Sequence, residues 1–247
     1  MNYTIYAPTY KRAKLCKTHK YLTNIIYVVR ESEAKDYKNV HDKLWIVPDS
    51  AQGNLCRIRN YILNNSENQN ILLLDDDIKY FGRWNGNKSI KLNEQQAYNM
   101  IQEGMQLAKD LDVVYWGLNC LADKGAYREY TPFGTCQYIG GPFQAHLNNQ
   151  LRYDEKIYLK EDYDMTLQVT NKHRKNLRLN MYHYVCDQNT LAGGCAEYRN
   201  INKEMSHNNM LQKKWGKKIV RFDKSNKSNK QKSYDINPII NTPIKGV

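Results

Sequence analysis

Ile71-Leu72-Leu73-Leu74-Asp75-Asp76-Asp77 is the stretch on which the fold turns. Four large aliphatic residues without polar alternation spell a strand buried on both faces, as in sheets covered by helices on either side. The run then breaks into three carboxylates, which repel one another and form strands poorly. Either the acids make a solvated turn, or the strand end gathers them around a cation. In the second case oxygen-only ligands select a hard divalent ion, Mn²⁺ or Mg²⁺, with substrate phosphates completing the shell.

Working outward, short β-branched and aromatic runs precede this strand at Thr4–Pro8, Asn24–Arg30 and Lys43–Pro48. A helix is expected from Asn54 to Asn65, with Leu55, Ile58 and Ile62 on one face. Downstream, Asn93 to Leu111 is amphipathic, and Asn93-Glu94 suits a helix start. Val113–Cys120 and Gly134–Gly141 read as a hairpin-related strand pair. Glu161–Lys175 reads as helix, Leu177–Val185 as strand and Lys203–Lys218 as a last helix. Strand–helix alternation followed by antiparallel material predicts an α/β protein, a Rossmann-like α/β/α sandwich with a mixed central sheet. Ligands of such sheets sit beyond the carboxyl ends of the strands. That places Pro8-Thr9-Tyr10-Lys11-Arg12, the acidic turn and the loop after Val185 at one edge.

The chain has 247 residues and a formal charge of +12. The charge is uneven: residues 203–232 hold ten Lys or Arg and two acids, a net +8. Lys213, Lys214, Lys217 and Lys218 are its densest part, and Lys224 to Lys232 read as a disordered basic tail. A catalytic body over 1–222 and a basic, partly disordered tail over 223–247 are therefore expected. Such a cluster suits a phosphate backbone through counterion release, although Lys-rich coding bias leaves the same trace. The six cysteines are widely spaced without a C-x-x-C pair, which reads as reduced structural thiols. No apolar run approaches the ~20 residues of a membrane span, and the start lacks a signal-like stretch, so a cytoplasmic location is expected.

The motifs taken in order resemble the GT-A family of nucleotide-sugar glycosyltransferases. They are PTYKR after the first strand, GNLCRIRNYIL before the acidic strand, the DDD strand end, YIGGPFQAH, and the Glu161-Asp162 pair opening a helix. The resemblance spans roughly Tyr3 to Trp215. It implies a GT-A fold and a nucleotide sugar, UDP-linked, as co-substrate. Pro8, Thr9, Arg12, Arg59, Asp75 and Asp76 would then meet the nucleotide sugar. Asp75 would hold ribose or metal, and Asp77 would contact the metal directly. His183 is the candidate histidine ligand, with His207 second. A strand histidine with a purely structural role is the competing reading. Arg57 and Arg59 are two residues apart and point differently on a helix, so only one reaches the nucleotide, and the RN dipeptide favours Arg59. Asp162 would be the general base of an inverting transfer, with Glu161 as helper. An acidic first turn favoured by the helix dipole would look the same.

Within that family, CQYIGGPFQAHLNNQLRYDEKIYLKEDYDMTLQV and DQNTLAGGCAEYR resemble the TET/JBP-associated glycosyltransferase group, largely from bacteriophages. The resemblance implies sugar transfer to hydroxymethylated pyrimidines in DNA, in the infected cell's cytoplasm if the protein is viral. Gly140, Gly141, Gly193, Gly194 and Arg199 would then face the acceptor, and Lys213, Lys214, Lys217 and Lys218 the DNA backbone. Trp84, Trp116, Tyr127 and Tyr130 are candidates to receive an extruded base. A glycosyltransferase acting on protein, lipid or surface glycan is the rival reading, and a non-catalytic nucleotide- or nucleic-acid-binding module is a further one.

Overall fold

In the computed structural model the described residues are 1–123, 127–187, 192–222 and 237–242. The first half of the chain lays down β1 (Thr4–Pro8), β2 (Ile25–Arg30), α1 (Ala34–Lys38), β3 (Leu44–Val47), α2 (Leu55–Asn65) and β4 (Asn70–Leu74). β1 pairs in parallel with β2 and β4, and β2 with β3. The Ile/Leu run forms β4 and is buried on both faces. Leu72 and Leu74 pack into one core layer with Met100, Ile101 and Met105. Ile71 and Leu73 pack into another, with Ile58, Ile62, Met165 and Val169. Alternate residues of one strand thus serve two helical layers, which is why the run shows no polar positions.

The second half adds β5 (Ile78–Asn85), β6 (Lys88–Lys91), α3 (Glu94–Asp110), β7 (Tyr115–Asn119), β8 (Phe133–Gly134), β9 (Phe143–Leu147), α4 (Glu161–His173), β10 (Leu177–Cys186), α5 (Ile201–Trp215), β11 (Val220–Phe222) and β12 (Pro238–Ile240). The main sheet runs β3-β2-β1-β4-β9-β7-β10-β5-β6, with β8 beside β10. β9 is antiparallel to both β4 and β7, and β10 is parallel to β7 but antiparallel to β5. This is the expected α/β/α sandwich with a mixed sheet.

Three local expectations change. Gly134–Gly141 is not a strand partner for β7. The Gly140-Gly141-Pro142 break forbids it, and the pairing strand is Phe143–Leu147. Gln144 and His146 disguised that strand as polar. Asn149 donates to His146 Nδ1 (3.0 Å), so His146 Nε2–H points at the Tyr153 hydroxyl (2.9 Å), which donates to Gln144 (2.6 Å). That chain satisfies both His146 nitrogens and the Gln144 carbonyl, while Gln144 Nε2 stays buried without a partner, and burial pulls the His146 pKa down to about 3. Second, a hairpin of β5 and β6 follows the acids, turning at Gly86 with φ +56°. Third, the last helix ends at Trp215, before Gly216 at φ +89°.

Beyond that glycine, β11 pairs with β12. Residues 223–236 and 243–247, most of the expected tail, lie outside the described residues, but Pro238–Ile240 return to the body, and Ile240 packs by Val220 and Leu211. No helix among the described residues is long and apolar enough to cross a membrane.

α3 begins with a capping box in which Asn93 accepts from Gln96 N and the Gln96 side chain accepts from Asn93 N. Further along, Gly104 lets the fully buried Trp116 ring lie against the helix, with Phe143 on its other side at 5.1 Å between centroids. A Cβ at Gly104 would overlap that ring. Gly104→Ala gains about 1 kcal/mol in helix propensity, but overpacking a closed core costs about 1–3 kcal/mol. The net is a loss, and thermal unfolding should show a lower Tm. A raised Tm would mean that the ring has room to move.

Candidate active site

At the carboxyl edge of the sheet the chain places several acids together, and each is met by a cation or a donor. β4 delivers Asp75, Asp76 and Asp77 there. Asp76 is 4% exposed and turns under the end of β1. It accepts from Thr9 Oγ1 at 2.6 Å and from Arg12 Nη1 at 2.9 Å. The same Nη1 lies 3.5 Å from Asp77 Oδ2. Arg12 Nε and Nη2 donate to the carbonyls of Ala192 and Gly193 at 3.0 and 3.1 Å. A Cβ at Gly193, where φ is +80°, would press on the carbonyls of Tyr10 and Lys11, and Gly194 N donates to Tyr10 O at 2.9 Å. The Gly193-Gly194 loop, expected at the acceptor, is therefore clamped on the PTYKR loop and holds Arg12 over the acids.

The second group is assembled by Arg59, which α2 carries fully buried. Asn54 caps that helix by accepting from Arg57 N. Arg59 Nη1 meets Glu161 Oε1 at 3.1 Å. Its Nη2 meets Asp75 Oδ1 at 3.2 Å and the Gly141 carbonyl at 2.9 Å. Arg57, as its spacing predicts, is outside, near Glu155 at 3.7 Å. On α4, Glu161 is buried, whereas Asp162 is partly open to the cleft. Asp162 Oδ2 accepts from the Tyr138 hydroxyl and from Gly141 N at 3.1 Å, and Oδ1 accepts from Tyr163 N. Asp164 turns away to Trp215 and Lys214.

Both groups, with Pro8 and Arg199, line one cleft of about 910 Å³. Its electrostatics are strained toward protonation. Burial, then the charges of Asp75 and Asp76, push the Asp77 carboxyl up to about 7. Burial, then Asp162, push Glu161 up to about 7 despite Arg59. Asp77 Oδ1 is buried without a hydrogen-bond partner, and the Asp75 side chain stays 32% exposed. An orphaned carboxylate oxygen beside a solvent-facing one fits a hard cation that takes its remaining ligands from phosphate and water. No group of three or more His, Cys, Asp or Glu able to hold a metal occurs among the described residues.

The structure gives the other expected residues various places and partners. β10 alternates, so Tyr184 lines the cleft while His183 faces the β5–β6 hairpin, with Nε2 2.7 Å from Ser89 and its ring near Trp84. His207 packs on Tyr158 and accepts from Leu159 N. Neither histidine is with the acids, because strand parity and helix packing take them elsewhere. Lys214 is committed to Asp154 and Asp164 at 2.9 and 3.0 Å, a structural ion pair rather than a free phosphate contact. Lys213, Lys217 and Lys218 are exposed. Arg199 pairs with Glu204 at 3.1 Å. Trp116 is core, Trp84 is buried and stacks on Tyr127, and Tyr130 is 83% exposed. Gly140 is in tight contact with Tyr184 and Cys120, leaving no room for a side chain. Sequence reasoning missed Tyr138 and Arg178. Tyr138 stood inside the quoted YIGG motif, and Arg178 was visible as a charge between Leu177 and Leu179 of an apolar strand.

A mixed sheet with acids at its carboxyl edge, joined through a buried guanidinium to an acid pair at a helix start, is the frame that the GT-A resemblance implied. More narrowly, the chain belongs to the TET-associated glycosyltransferase family, whose model matches residues 3–194. No curated protein matches the chain. Among solved structures it is similar to S. aureus TarS 1-349, at 15% identity and a TM-score of 0.47, covering 74% of this chain and 60% of that one. It is also similar to the mannosyltransferase PcManGT from Pyrobaculum calidifontis, in complex with GDP-Man and Mn²⁺, at 14% identity and a TM-score of 0.40 over 59% and 44% of the two chains. A third is CMP:2-keto-3-deoxy-manno-octonic acid synthetase complexed with CTP, at 11% identity and a TM-score of 0.44 over 86% and 100%.

Removing Arg59 strands the buried Glu161 carboxylate and takes the cation from half-buried Asp75, so Arg59→Met should cost about 3–5 kcal/mol, read by denaturant unfolding. Adding Glu161→Gln to it should recover part of that loss, and strict additivity would argue against the bridge. Glu161 also carries a pH signature. Its carboxyl ordinarily titrates at 4.5 and is held at about 7 when folded, so the folded chain keeps a proton that the unfolded chain releases. The stability it contributes is full below pH 4.5 and is lost as pH rises to about 7. With chelator present, Tm should fall across that window, and less steeply in Glu161→Gln. An unchanged slope in the variant would refute the assignment.

Proposed function

We propose that the protein moves a sugar from a UDP-linked nucleotide sugar to the hydroxyl of a hydroxymethylated pyrimidine in DNA, with inversion and with Asp162 as general base. The observation that carries this reading is the bridge of Arg59 between Asp75 and Glu161. It puts the strand-end acids and the Glu161-Asp162 pair in one cleft.

Thr9, Asp76 and Arg12 form a rigid floor beneath the donor. Asp75 and Asp77 would hold Mn²⁺ or Mg²⁺. When bound, such an ion neutralises the diphosphate that departs. Glu161 is tied to Arg59 and buried, so it holds the wall, whereas Asp162 faces the cleft. Tyr138, Gly141 and Tyr163 fix the plane of the Asp162 carboxylate. Asp162 takes the proton of the acceptor hydroxyl while that oxygen forms its bond to the anomeric carbon. The bond from the same carbon to the diphosphate oxygen breaks with its electron pair. The DNA acceptor is supported by the family's name and by the exposed Lys213, Lys217 and Lys218. The hydroxymethyl group of a duplex pyrimidine reaches Asp162 by extrusion of its base or through the major groove.

A panel of nucleotide sugars with Mn²⁺ and hydroxymethylpyrimidine DNA, read by nucleoside mass spectrometry, tests the reading. A hexose or pentose adduct is expected, reduced about 10²-fold or more in Asp162→Asn and restored by neither donor nor DNA in excess. Asp77→Asn should raise the Mn²⁺ concentration needed for half activity. A folded protein that gives no adduct with any donor would sink the DNA acceptor.

A further inference from the structure

The cleft contains guanidiniums whose charge is already answered. Arg12 meets Asp76, Arg30 meets Glu33, Arg59 meets Asp75 and Glu161, and Arg199 meets Glu204. Arg178 differs. It lines the same cleft half-buried, yet no carboxylate among the described residues pairs with it. Its Nη1 donates to the Tyr138 carbonyl at 3.2 Å and its Nε to Asn180 Oδ1 at 2.8 Å. Both partners are neutral, and neither answers the charge.

The sheet leaves that charge uncovered by its register. Arg178 on β10 stands opposite Gly117 of β7 and Gly134 of β8. The places where side chains on those glycines would lie are taken by the uncharged side chains of Ile139 and Gln137, so neither neighbouring position supplies a counterion. Burial pulls its pKa below the ordinary guanidinium value, the mark of a cation short of a counterion. A desolvated cation that opens on a cleft without an internal partner is a site for an external anion.

Its position indicates which anion. Arg178 reaches Asp162 through Tyr138, whose carbonyl it binds and whose hydroxyl donates to the Asp162 carboxylate. The strand-end acids reach Asp162 by another route, through Arg59 and Gly141. The donor's diphosphate belongs with those acids, so Arg178 belongs to the acceptor's half. We propose that Arg178 anchors a backbone phosphate of the acceptor strand beside the nucleotide whose hydroxyl faces Asp162. This rests on the DNA reading above and names the contact that would fix the extruded nucleotide. A guanidinium offers two parallel donors to a phosphate, which sets orientation as well as charge.

The test needs no turnover. Fluorescence anisotropy measures binding of the full chain to a hydroxymethylpyrimidine oligonucleotide, and to the same strand with one neutral methylphosphonate beside the modified nucleotide. Wild type should bind the neutralised strand about tenfold more weakly than the native one. Arg178→Met should bind the native strand about tenfold more weakly than wild type does, lose about one unit of salt slope, and be indifferent to the methylphosphonate. Arg178→Lys, which keeps the charge, should recover part of the affinity and serves as the folding control alongside a thermal melt. UDP-sugar affinity should be unchanged in both variants.

The outcomes separate the two claims. If wild type binds no DNA, the DNA reading fails. If wild type binds but Arg178→Met keeps full affinity, or keeps its sensitivity to the methylphosphonate, the anchor is overturned while the DNA reading stands. A weakened UDP-sugar affinity in Arg178→Met would also overturn it, by assigning the guanidinium to the donor.

Discussion

Arg59 lies under the whole site. It is fully buried, yet it contacts an acid from a strand end, an acid from a helix start and a carbonyl from the loop between them. A buried guanidinium is costly unless its donors find acceptors, and buried carboxylates are costly unless they find a cation. Each side solves the other's problem only when α2, β4, the Gly140-Gly141 loop and α4 are all in place. The charge pairing adds little net stability by itself and instead specifies one arrangement of four segments distant in the chain.

Arg12 repeats the device on the other flank. It faces Asp76 and Asp77 and is in turn held by the carbonyls of Ala192 and Gly193. The cleft is thus lined by acids whose charges are incompletely answered, since Asp77 and Glu161 are both pushed up to about 7. Such a site is poised for an added cation to complete it. Across the cleft the imbalance reverses at Arg178. Residual charge of opposite sign thus stands on two walls of one cleft.

Much of this was legible in the linear chain. β4 announced itself because a strand serving two core layers can tolerate no polar residue, and the acids that follow marked its carboxyl end. The Asn54 and Asn93 caps marked α2 and α3. β9 was not legible, because His146 and the Gln144 carbonyl are satisfied by Tyr153 and Asn149, partners that only the fold brings near. The same holds for Lys214, a cation of the basic last helix by composition and a counterion to buried Asp164 in space.

By itself the sequence determined an α/β/α sandwich with acids at its edge and Glu161-Asp162 at a helix start, since apolar periodicity and local capping are short-range properties. Tertiary structure alone decided which side of β10 faces the cleft, taking His183 to Ser89 and giving Tyr184 to the site. It also decided that Arg59 is answered by two acids and Arg178 by none among the described residues. Residue type sets a side chain's charge, but the cost of that charge depends on burial and on partners far away in sequence.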